Sequence, residues 1–583
     1  MLRGETYAEL CHNFKWRIPQ YYNIGVDVCD KWAADKNRLA LIYADPHGIE
    51  RRYTFRELKN TSNRLANALK AHGITRTDRV GILLSQRPET LISHIAVYKL
   101  GAIAVQLLTL FGPDAIEYRL QDSAAKALIT DKENLSKIWE IKEHLPALKL
   151  MIAIDTDKEE GVMDFWQSVK RGSRDFTPVR TTPDDPALII YTSGTTGQPK
   201  GTLHGHRILP GILPGFEFYH NLFPREGDLM WTPLDWAYIG GSYDALFPTL
   251  HHGLPMLAYR PRKFDAEEAF FMMAKHGVRN LMAVPTVLRM MMHAVKHPRD
   301  RYNFRLRSIT AGGETLGEEL CDWSREHLGV EINEQYGQTE CDLVVGFCSE
   351  IMTIVPGAIG KTVPGHVVEI IDENGRIATH DDIGEIAVKG PDPVMFLEYW
   401  KNPTATRKKY IGAWLRTGDY GRKDKDGNLW FSGRQDDIIE SGGFRIGPGE
   451  VEDCLMKHAA VALVGVIGVP DPKWQEVGRA LVVVKEGQDV TEEEVSRGRE
   501  KYLKQYELLM TNTSSVGIAL SSAVAMGDWR LFAGPGIERH AGETEFLART
   551  GVGYAFELEN DWEIEPQFNI DWVDGDGVVV WGL

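Results

Sequence analysis

Apolar residues along the first two-thirds of the chain follow two alternating periods. After Tyr53, leucines recur at helical spacing, the pattern of a helix with one buried face. Thr54 stands where it can cap that helix, and Glu57, three residues later, completes a capping box. Gly73 stands where such a helix would end. The pattern predicts one helix between Thr54 and Gly73.

Short continuous apolar runs separate such helical stretches and predict buried strands. They lie at residues 79–84, 126–130, 148–154, 187–191, 280–284 and 308–311, with a further helix at 89–100. Strands that alternate with helices are typical of parallel α/β architecture. Between residues 357 and 430, shorter strands and turns rich in Gly, Pro and Asp predict a β-rich subdomain.

A second, smaller unit is predicted to begin near Arg434. Helices at 450–458 and 491–504 and strands at 461–469 and 480–485 indicate a small α+β module. After Lys504 the composition changes. Between Tyr554 and Trp572 apolar residues fall mostly at period two, which predicts a β-hairpin with one apolar face.

The expected fold class is therefore α/β. We predict a large N-terminal domain at 1–434, built from parallel α/β subdomains plus a β-rich subdomain. A partial α+β C-terminal domain is predicted at 435–505, and an atypical tail with the hairpin at 506–583. The length of 583 residues agrees with several domains, because it exceeds what one hydrophobic core usually supports.

Composition and charge exclude several classes of protein. Apolar residues make up 43% and charged residues 25%, a globular balance. The formal net charge of −16 opposes nonspecific binding to nucleic acid. No apolar run suits a membrane-spanning helix, and the start MLRGETYAEL predicts no secretory signal. Six scattered cysteines predict a reducing, cytoplasmic location and neither a disulfide framework nor a zinc site.

The segment from Tyr191 to Gly201 concentrates residue types that bind phosphate. Between these two residues, the hydroxyl, glycine and lysine residues are Thr192, Ser193, Gly194, Thr195, Thr196, Gly197 and Lys200. Glycines let backbone amides approach phosphate oxygens, hydroxyls donate hydrogen bonds, and Lys200 adds a cation. The spacing differs from that of a Walker P-loop. A solvated loop is the alternative, but Pro-Lys-Gly directly after the hydroxyls is a composition that loops rarely assemble.

This loop closely resembles the phosphate-binding signature of the adenylate-forming superfamily of acyl-CoA synthetases, luciferases and peptide-synthetase adenylation domains. Other segments resemble that family's motifs in the correct order. Gly313-Glu314-Thr315 resembles the loop along the adenine. Glu334-Gln335-Tyr336-Gly337-Gln338-Thr339-Glu340 resembles the stretch whose aromatic residue stacks near adenine, whose threonine meets the α-phosphate and whose glutamate holds magnesium.

Two motifs near the predicted domain boundary extend the resemblance. Asp419, which follows Arg416-Thr417-Gly418, resembles the aspartate that accepts hydrogen bonds from both ribose hydroxyls. Arg434 and Asp436 match the hinge motif. The resemblance implies that Arg434 binds ribose or phosphate and that Asp436 is the pivot on which the small domain, a lid, rotates.

The loop that contains Gly442, Gly443 and Arg445 resembles the one that lines the CoA tunnel, with the arginine reaching nucleotide phosphate. The resemblance covers residues 1 to about 505. It implies an ATP-dependent carboxylate:CoA ligase of fatty acid metabolism, with Mg²⁺ as cofactor and coenzyme A as cosubstrate. Acyl-AMP forms first with release of pyrophosphate, and acyl-CoA forms after the lid rotates. The implied catalytic residues are Lys200, Thr339, Glu340 and Arg445.

The residues of the acyl pocket indicate an aliphatic acid larger than acetate. In acetate-specific relatives a tryptophan closes the pocket at the position of Gly337, so Gly337 would leave room for a longer chain. A backbone requirement for glycine is the other explanation. The segment that resembles the acyl wall contains Trp236, Ala237 and Tyr238. The exact acid and the oligomeric state stay open.

The chain departs from the family pattern after Lys504. Relatives end the lid with a Pro-Lys-Thr-x-x-Gly-Lys-like segment, whose final lysine bridges the carboxylate and the α-phosphate during adenylation. No lysine follows Lys504 here, and arginine is no simple substitute because its planar guanidinium places charge differently. The tail is interpreted as foreign sequence from a rearranged gene, or as a divergent lid ending. Whether another group replaces the lysine stays open.

Two other functions compete with this interpretation. The first is an adenylating enzyme for another carboxylate, such as an amino acid, although no carrier domain and no aspartate for the substrate ammonium are evident. The second is a nucleotide-binding non-catalytic homologue, which the missing lysine favours. An assay with CoA and a panel of fatty, aromatic and amino acids would distinguish an enzyme for another carboxylate from one for an aliphatic acid. Nucleotide binding without turnover would support the non-catalytic homologue.

We expect the purified chain to form acyl-AMP far more slowly than it converts supplied acyl-AMP to acyl-CoA. The reason is that the adenylation lysine is missing whereas the loop with Arg445 is present. Acyl-AMP formation and acyl-CoA formation from preformed acyl-AMP are measured separately. Full pyrophosphate-exchange activity would contradict the expectation and show that another group replaces the lysine.

Overall fold

The structure is a computed structural model of the chain. It describes residues 2–46, 48–156, 159–192, 198–261, 263–314, 316–434, 439–441, 444–446, 448–456, 458, 460–471, 475–485, 506–512, 518–519, 522–526, 529–540, 543–554, 556–557, 563–564, 567–573 and 576–582. The chain divides into two compact units. The first unit is 1–194 with 198–431, and the second is 195–197 with 432–583.

The helices of the first unit lie between and beside its strands. They are α1 Tyr7–Asn13, α2 Phe55–Ala71, α3 Pro88–Lys99, α4 Pro113–Ser123, α5 Lys132–Ile141, α6 Phe165–Arg171, α7 Ile208–Tyr219, α8 Ile239–Gly241, α9 Phe247–His251, α10 Ala266–His276, α11 Pro285–Ala294, α12 Pro298–Arg301, α13 Glu318–Trp323 and α14 Pro403–Lys408. Short π-helical turns occur at Val26–Asp30, Ser242–Leu246 and Ser324–Leu328, and a 3₁₀ turn at Lys142–His144.

The strands of the first unit form three sheets. They are β1 Leu39–Ala44, β2 Glu50–Thr54, β3 Arg79–Leu83, β4 Ile103–Leu107, β5 Ala127–Asp131, β6 Leu150–Ile154, β7 Met163–Asp164, β8 Pro186–Thr192, β9 Lys200–Gly205, β10 Met230–Trp231, β11 Met256–Ala258, β12 Asn280–Ala283, β13 Ser308–Gly312, β14 Ile332–Gln338, β15 Cys341–Gly346, β16 Lys361–Thr362, β17 Val368–Ile371, β18 Gly384–Lys389, β19 Glu398–Tyr399, β20 Tyr410–Ile411, β21 Trp414–Lys423 and β22 Leu429–Arg434, whose last residues belong to the second unit.

Two of these sheets are mainly parallel and the third is antiparallel. One has the strand order β16-β15-β14-β13-β12-β10-β11-β1-β2. In that order, the six neighbouring strands β14, β13, β12, β10, β11 and β1 run parallel. Another has the order β19-β9-β8-β4-β3-β5-β6-β7. At one edge of it, β9 runs antiparallel to both of its neighbours, β8 and β19. The third, β17-β18-β21-β20 with β22 beside β21, is the β-rich part. The predicted α/β fold class is therefore confirmed.

The local predictions for the first unit agree closely with the observed elements. Helix α2 carries the predicted capping box, in which the Thr54 hydroxyl accepts from the Glu57 amide and the Glu57 carboxylate accepts from the Thr54 amide. All the strands predicted from apolar runs between residues 79 and 311 occur, with ends shifted by at most two residues. Such runs identify strands well because parallel strands are buried on both faces.

Helix α3 lies inside the core of the first unit and has no solvent-exposed face. All the residues of α3 are buried. Its apolar side chains belong to one cluster that also contains Val80 of β3 and Met256 of β11, so both parallel sheets contribute to the same core. Among the described residues, no helix has the combination of length and apolar character that crossing a membrane requires.

The second unit contains one described helix and two larger groups of strands. Helix α15 is Pro448–Met456, and the strands are β23 Ile439–Ser441, β24 Phe444–Ile446, β25 Val461–Asp471, β26 Gln475–Val484, β27 Tyr506–Asn512, β28 Ile518–Ala519, β29 Ser522–Met526, β30 Trp529–His540, β31 Glu543–Tyr554, β32 Phe556–Glu557, β33 Glu563–Ile564, β34 Gln567–Val573 and β35 Asp576–Gly582.

The strands of the second unit form separate sheets, and the first of these sheets includes β27, which lies beyond the predicted limit at 505. The first sheet is β24-β23-β26-β25, and β27 pairs with β26 in parallel. The strands from β28 to β31 with β34 and β35 form a further sheet, and β32 pairs with β33. The helix predicted at 491–504 lies outside the described residues. The domain boundaries drawn from the sequence stay a prediction.

Candidate active site

The predicted phosphate loop is closed by an antiparallel strand pair. Strand β8 ends at Thr192 and β9 begins at Lys200, and these two residues are partners in the ladder. The Thr192 hydroxyl lies 3.5 Å from the Lys200 carbonyl oxygen, to which it donates. The predicted loop residues Ser193, Gly194, Thr195, Thr196 and Gly197 lie outside the described residues. The ladder therefore fixes both ends of the loop, and Lys200 with them.

Glu340 lies at the turn of another antiparallel pair, close to Lys200. Strands β14 and β15 are joined through Thr339 and Glu340, since Gln338 pairs with Cys341. The Glu340 side chain is buried, and its Oε1 accepts a hydrogen bond from the Tyr399 hydroxyl. The Nζ atom of Lys200 lies 5.6 Å from the centroid of the same tyrosine ring. The structure thus brings the two predicted charged groups together through Tyr399.

The Glu340 carboxylate fits the role of a magnesium ligand. Its Oε2 accepts no hydrogen bond from any described residue, so one oxygen remains for a cation. Magnesium usually takes one or two protein carboxylates together with phosphate oxygens and water. Within the described part of the chain, no cluster of three or more His, Cys, Asp or Glu side chains could hold a metal ion.

The predicted ribose aspartate is held by side chains from β14. The Tyr336 hydroxyl donates to Asp419 Oδ2 over 2.7 Å, and the Gln338 amide donates to the same oxygen over 3.3 Å. Burial, and then the neighbouring Asp419, raises the pKa of Tyr336 well above its ordinary value, so its hydroxyl stays protonated and donates. Lys409 donates to Gln338 Oε1 over 2.9 Å. Sequence reasoning missed Lys409.

The predicted adenine loop is anchored at the start of a helix. The Glu314 carboxylate accepts hydrogen bonds from the Thr286 amide, over 3.0 Å, and from the Thr286 hydroxyl, over 2.6 Å, in the first turn of α11. Gly313 adopts a φ of +85°, which favours glycine. Thr315 lies outside the described residues. Glu334 and Gln335 of β14 run beside this loop, because they pair with the end of β13.

A buried pair of carboxyl groups lies behind β14. Gln335 donates from its side-chain amide to Asp244 Oδ2 over 3.1 Å. Burial and the adjacent Asp342 raise the pKa of Asp244 well above its usual range, and burial raises that of Asp342 to about 6. Two neighbouring acids with raised pKa values hold a shared proton at neutral pH. Sequence reasoning missed this pair, since each aspartate stands alone in an apolar run.

The structure separates the three predicted acyl-wall residues by exposure. Trp236 is fully buried and Ala237 nearly so, whereas Tyr238 is 55% exposed. A Cβ atom on Gly337 would lie 2.4 Å from the Leu343 nitrogen and 2.8 Å from the Asp342 Cα. Glycine is therefore required by the backbone of the β14–β15 pair. This favours the backbone requirement, rather than an open acyl pocket, as the reason for Gly337.

The remaining predicted residues belong to the second unit. Arg434 is the last residue of β22 and is exposed. Arg445 lies in β24, where its Cα is the partner of Glu440 in β23. Asp436, Gly442 and Gly443 lie outside the described residues.

Comparison with known proteins identifies the family. The model of the family "AMP-binding enzyme" matches residues 29–400, and that of "AMP-binding enzyme C-terminal domain" matches residues 450–509. The acyl-coenzyme A synthetase ACSM3 of Rattus norvegicus is 32% identical over 82% of this chain and 84% of its own length. The acetyl-coenzyme A synthetase of Bacillus subtilis (strain 168) is 32% identical over 83% of this chain and 86% of its own.

Solved structures agree with the sequence relatives. The acyl-CoA synthetase of Brucella canis superposes with a TM-score of 0.71 at 30% identity, covering 87% of this chain and 95% of its own. The anthranilate CoA ligase AuaEII, solved with anthranoyl-AMP, has a TM-score of 0.76 at 28% identity, covering 84% and 94%. The chain belongs to the AMP-binding enzyme family. Within it, the chain is an AMP-forming acid–thiol ligase that uses a carboxylate, ATP, Mg²⁺ and CoA.

We expect Tyr336→Phe to lower the affinity for AMP about tenfold, because Asp419, the predicted ribose contact, loses a charge-assisted hydrogen bond and is oriented less well. Calorimetric titration with AMP measures the change. Pyrophosphate binding serves as the control, since it involves no ribose contact and should not change. Unaltered AMP affinity in a folded Tyr336→Phe chain would show that Asp419 does not depend on this tyrosine.

Proposed function

We propose that the chain activates an aliphatic carboxylic acid larger than acetate, with the catalytic charges placed at Lys200 and Glu340. The observation that carries the placement of the charges is their joint contact with Tyr399: Lys200 Nζ lies over the ring, and Glu340 accepts from the hydroxyl. A cation at the phosphate loop beside a buried carboxylate suits a magnesium-bound polyphosphate, because each group meets charge of the opposite sign.

The proposed first half-reaction joins the acid to the α-phosphorus of ATP. A carboxylate oxygen forms the new bond to phosphorus, and the bond to pyrophosphate breaks. Lys200 neutralises charge on the phosphates, and the Thr339 hydroxyl donates to an α-phosphate oxygen. Magnesium held by Glu340 would supply further charge neutralisation. Catalysis of phosphoryl chemistry is mainly positioning and electrostatic stabilisation, which these groups provide.

The proposed nucleoside contacts lie on the neighbouring strands. Asp419 accepts hydrogen bonds from the ribose hydroxyls, while Tyr336 and Gln338 hold its carboxylate in place. The Gly313–Glu314 loop lies along the adenine, fixed through Glu314 to α11. In the second half-reaction the CoA thiolate attacks the acyl carbonyl carbon and AMP leaves. We propose Arg445 as the phosphate contact of this step and Asp436 as the hinge.

The proposed acyl specificity depends on Ala237 rather than on Gly337. In this backbone a side chain at 337 would meet the backbone of β15. Ala237 is small and nearly buried in the segment that also holds Trp236, and the Ala237 amide donates to Asp235 Oδ1 over 2.9 Å, which fixes its position. A small residue at this wall leaves volume for methylene groups, each contributing about 0.8 kcal/mol when buried.

A cytoplasmic location and the domain limits at 434 and 505 remain part of the proposal. The location is supported by six cysteines scattered along the sequence without close pairs. The limits are supported by the change of unit between residues 431 and 432 and by the C-terminal family match ending at residue 509.

Lys200→Met is expected to weaken binding of magnesium-ATP about tenfold or more, because a charge-assisted contact to phosphate is lost. Calorimetry on the folded chains measures this. Lys408→Met, which removes the same charge from an exposed position in α14, is the matched control and should bind as the unmodified chain does. If the unmodified chain binds neither magnesium-ATP nor AMP, the proposed function is wrong.

Across a series of straight-chain acids from two to eight carbons, pyrophosphate exchange is expected to peak above acetate. Ala237→Phe should shift the optimum toward shorter acids, because the ring fills the proposed wall. Ala237→Ser, which adds little volume, is the control. A sharp optimum at acetate in the unmodified chain would overturn the size assignment without affecting the adenylating chemistry.

A further inference from the structure

Tyr399 lies on an edge strand that is tied to the strand of Lys200. Strand β19 pairs with β9 so that Tyr399 is opposite Thr202, two residues from Lys200. On either side of β19, the Trp400 amide donates to the Gly201 carbonyl and the Leu397 amide to that of Leu203, both over 2.7 Å. The backbone around Tyr399 is therefore fixed against the phosphate-loop strand.

The same segment also contacts both the backbone and the side chain of Glu340. The Phe396 amide donates to the Glu340 carbonyl over 2.9 Å. The Tyr399 hydroxyl donates to Glu340 Oε1. With its carbonyl and one carboxylate oxygen both held, Glu340 has a defined orientation. Its Oε2, which accepts no hydrogen bond from the described residues, is the oxygen left for a ligand.

The surroundings of Tyr399 favour its hydrogen bond to Glu340. The side chain is only 5% exposed, so water does not compete for the hydrogen bond. A hydrogen bond from a neutral hydroxyl to a carboxylate is among the stronger kinds and is directional.

The ring of Tyr399 contacts Lys200, and its hydroxyl donates to Glu340. The Lys200 Nζ lies 5.6 Å from the ring centroid, within the range of a cation–π interaction. The ring leaves the ammonium hydrogens free to donate elsewhere, since it engages the charge through its face. One side chain therefore sets the separation between the cation of the phosphate loop and the proposed metal-binding carboxylate.

We propose that Tyr399 is a positioning residue for adenylation. It orients the Glu340 carboxylate toward the metal ion and holds the Lys200 ammonium at a fixed distance from that carboxylate. This inference rests on the proposed function, because it takes Glu340 as the metal ligand. Groups that hydrogen-bond to metal ligands typically change metal affinity 10- to 100-fold when they are removed. The Tyr399 hydroxyl is such a group, because it hydrogen-bonds to Glu340.

Tyr399→Phe in the full chain removes the hydroxyl and keeps the ring. We expect the affinity for Mn²⁺ in the ATP complex, followed by the electron paramagnetic resonance of free Mn²⁺, to fall about tenfold. The affinity for AMP without metal should change by no more than about twofold. A general loss of structure would instead lower the affinities for both Mn²⁺ and AMP. Tyr410→Phe is the matched control, because its ring stacks on Phe396 and its hydroxyl is not bonded to Glu340.

Glu340→Gln separates failure of this inference from failure of the proposed function. If Glu340→Gln leaves Mn²⁺ affinity unchanged, Glu340 is not the metal ligand and both are wrong. If Glu340→Gln weakens Mn²⁺ binding and Tyr399→Phe does not, only the role of Tyr399 is wrong. In the Glu340→Gln background, adding Tyr399→Phe should have no further effect on metal affinity.

A measurement on the unmodified chain keeps the inference testable if Tyr399→Phe does not fold. Addition of Mg²⁺ to the ATP complex draws charge from Glu340 and weakens its hydrogen bond from Tyr399. We expect a tyrosine difference absorption band that is absent from the Glu340→Gln chain. No tyrosine perturbation on metal binding in the unmodified chain would overturn the proposal.

Discussion

Close pairing of β14 with β15 is the constraint on which the candidate site depends. The pairing requires glycine at 337, because any Cβ there would meet the backbone of Leu343. With the strands held this close, alternation of side chains along β14 directs Tyr336 and Gln338 to Asp419 and directs Gln335 to Asp244 on the opposite face. The turn that follows carries Thr339 and Glu340. A single backbone arrangement therefore sets the nucleoside, phosphate and metal contacts together.

Burial gives the polar groups of this site their defined protonation states. Tyr336 and Tyr399 each donate to a carboxylate, and burial keeps both hydroxyls protonated. Asp244 and Asp342 lie one layer deeper, where the low dielectric disfavours two negative charges. Tyr336 of β14 donates to Asp419 of β21, and Tyr399 of β19 donates to Glu340 at the end of β14, so these hydrogen bonds also hold the sheets together.

The elements of the first unit could be predicted from the sequence because their signals are local. Thr54 and Glu57 are three residues apart, and their capping box forms as predicted. Continuous apolar runs identified the buried strands, since burial on both faces leaves little room for polar residues. The motif residues could be named for the same reason, because each motif is contiguous in the chain. The contacts among motifs could not, since Lys200, Glu340 and Asp419 are far apart in sequence.

The α/β class, the positions of the buried strands and the adenylate-forming resemblance could all be predicted from the chain before folding, because each depends on residues that are neighbours in the sequence. Three further features became visible in the folded chain: Tyr399 contacts both Lys200 and Glu340, Lys409 hydrogen-bonds to Gln338 beside Asp419, and Gly337 is required by the backbone. These contacts arise from strand pairing over tens to hundreds of residues. No local period encodes which strand will lie beside which, so only the folded chain reveals them.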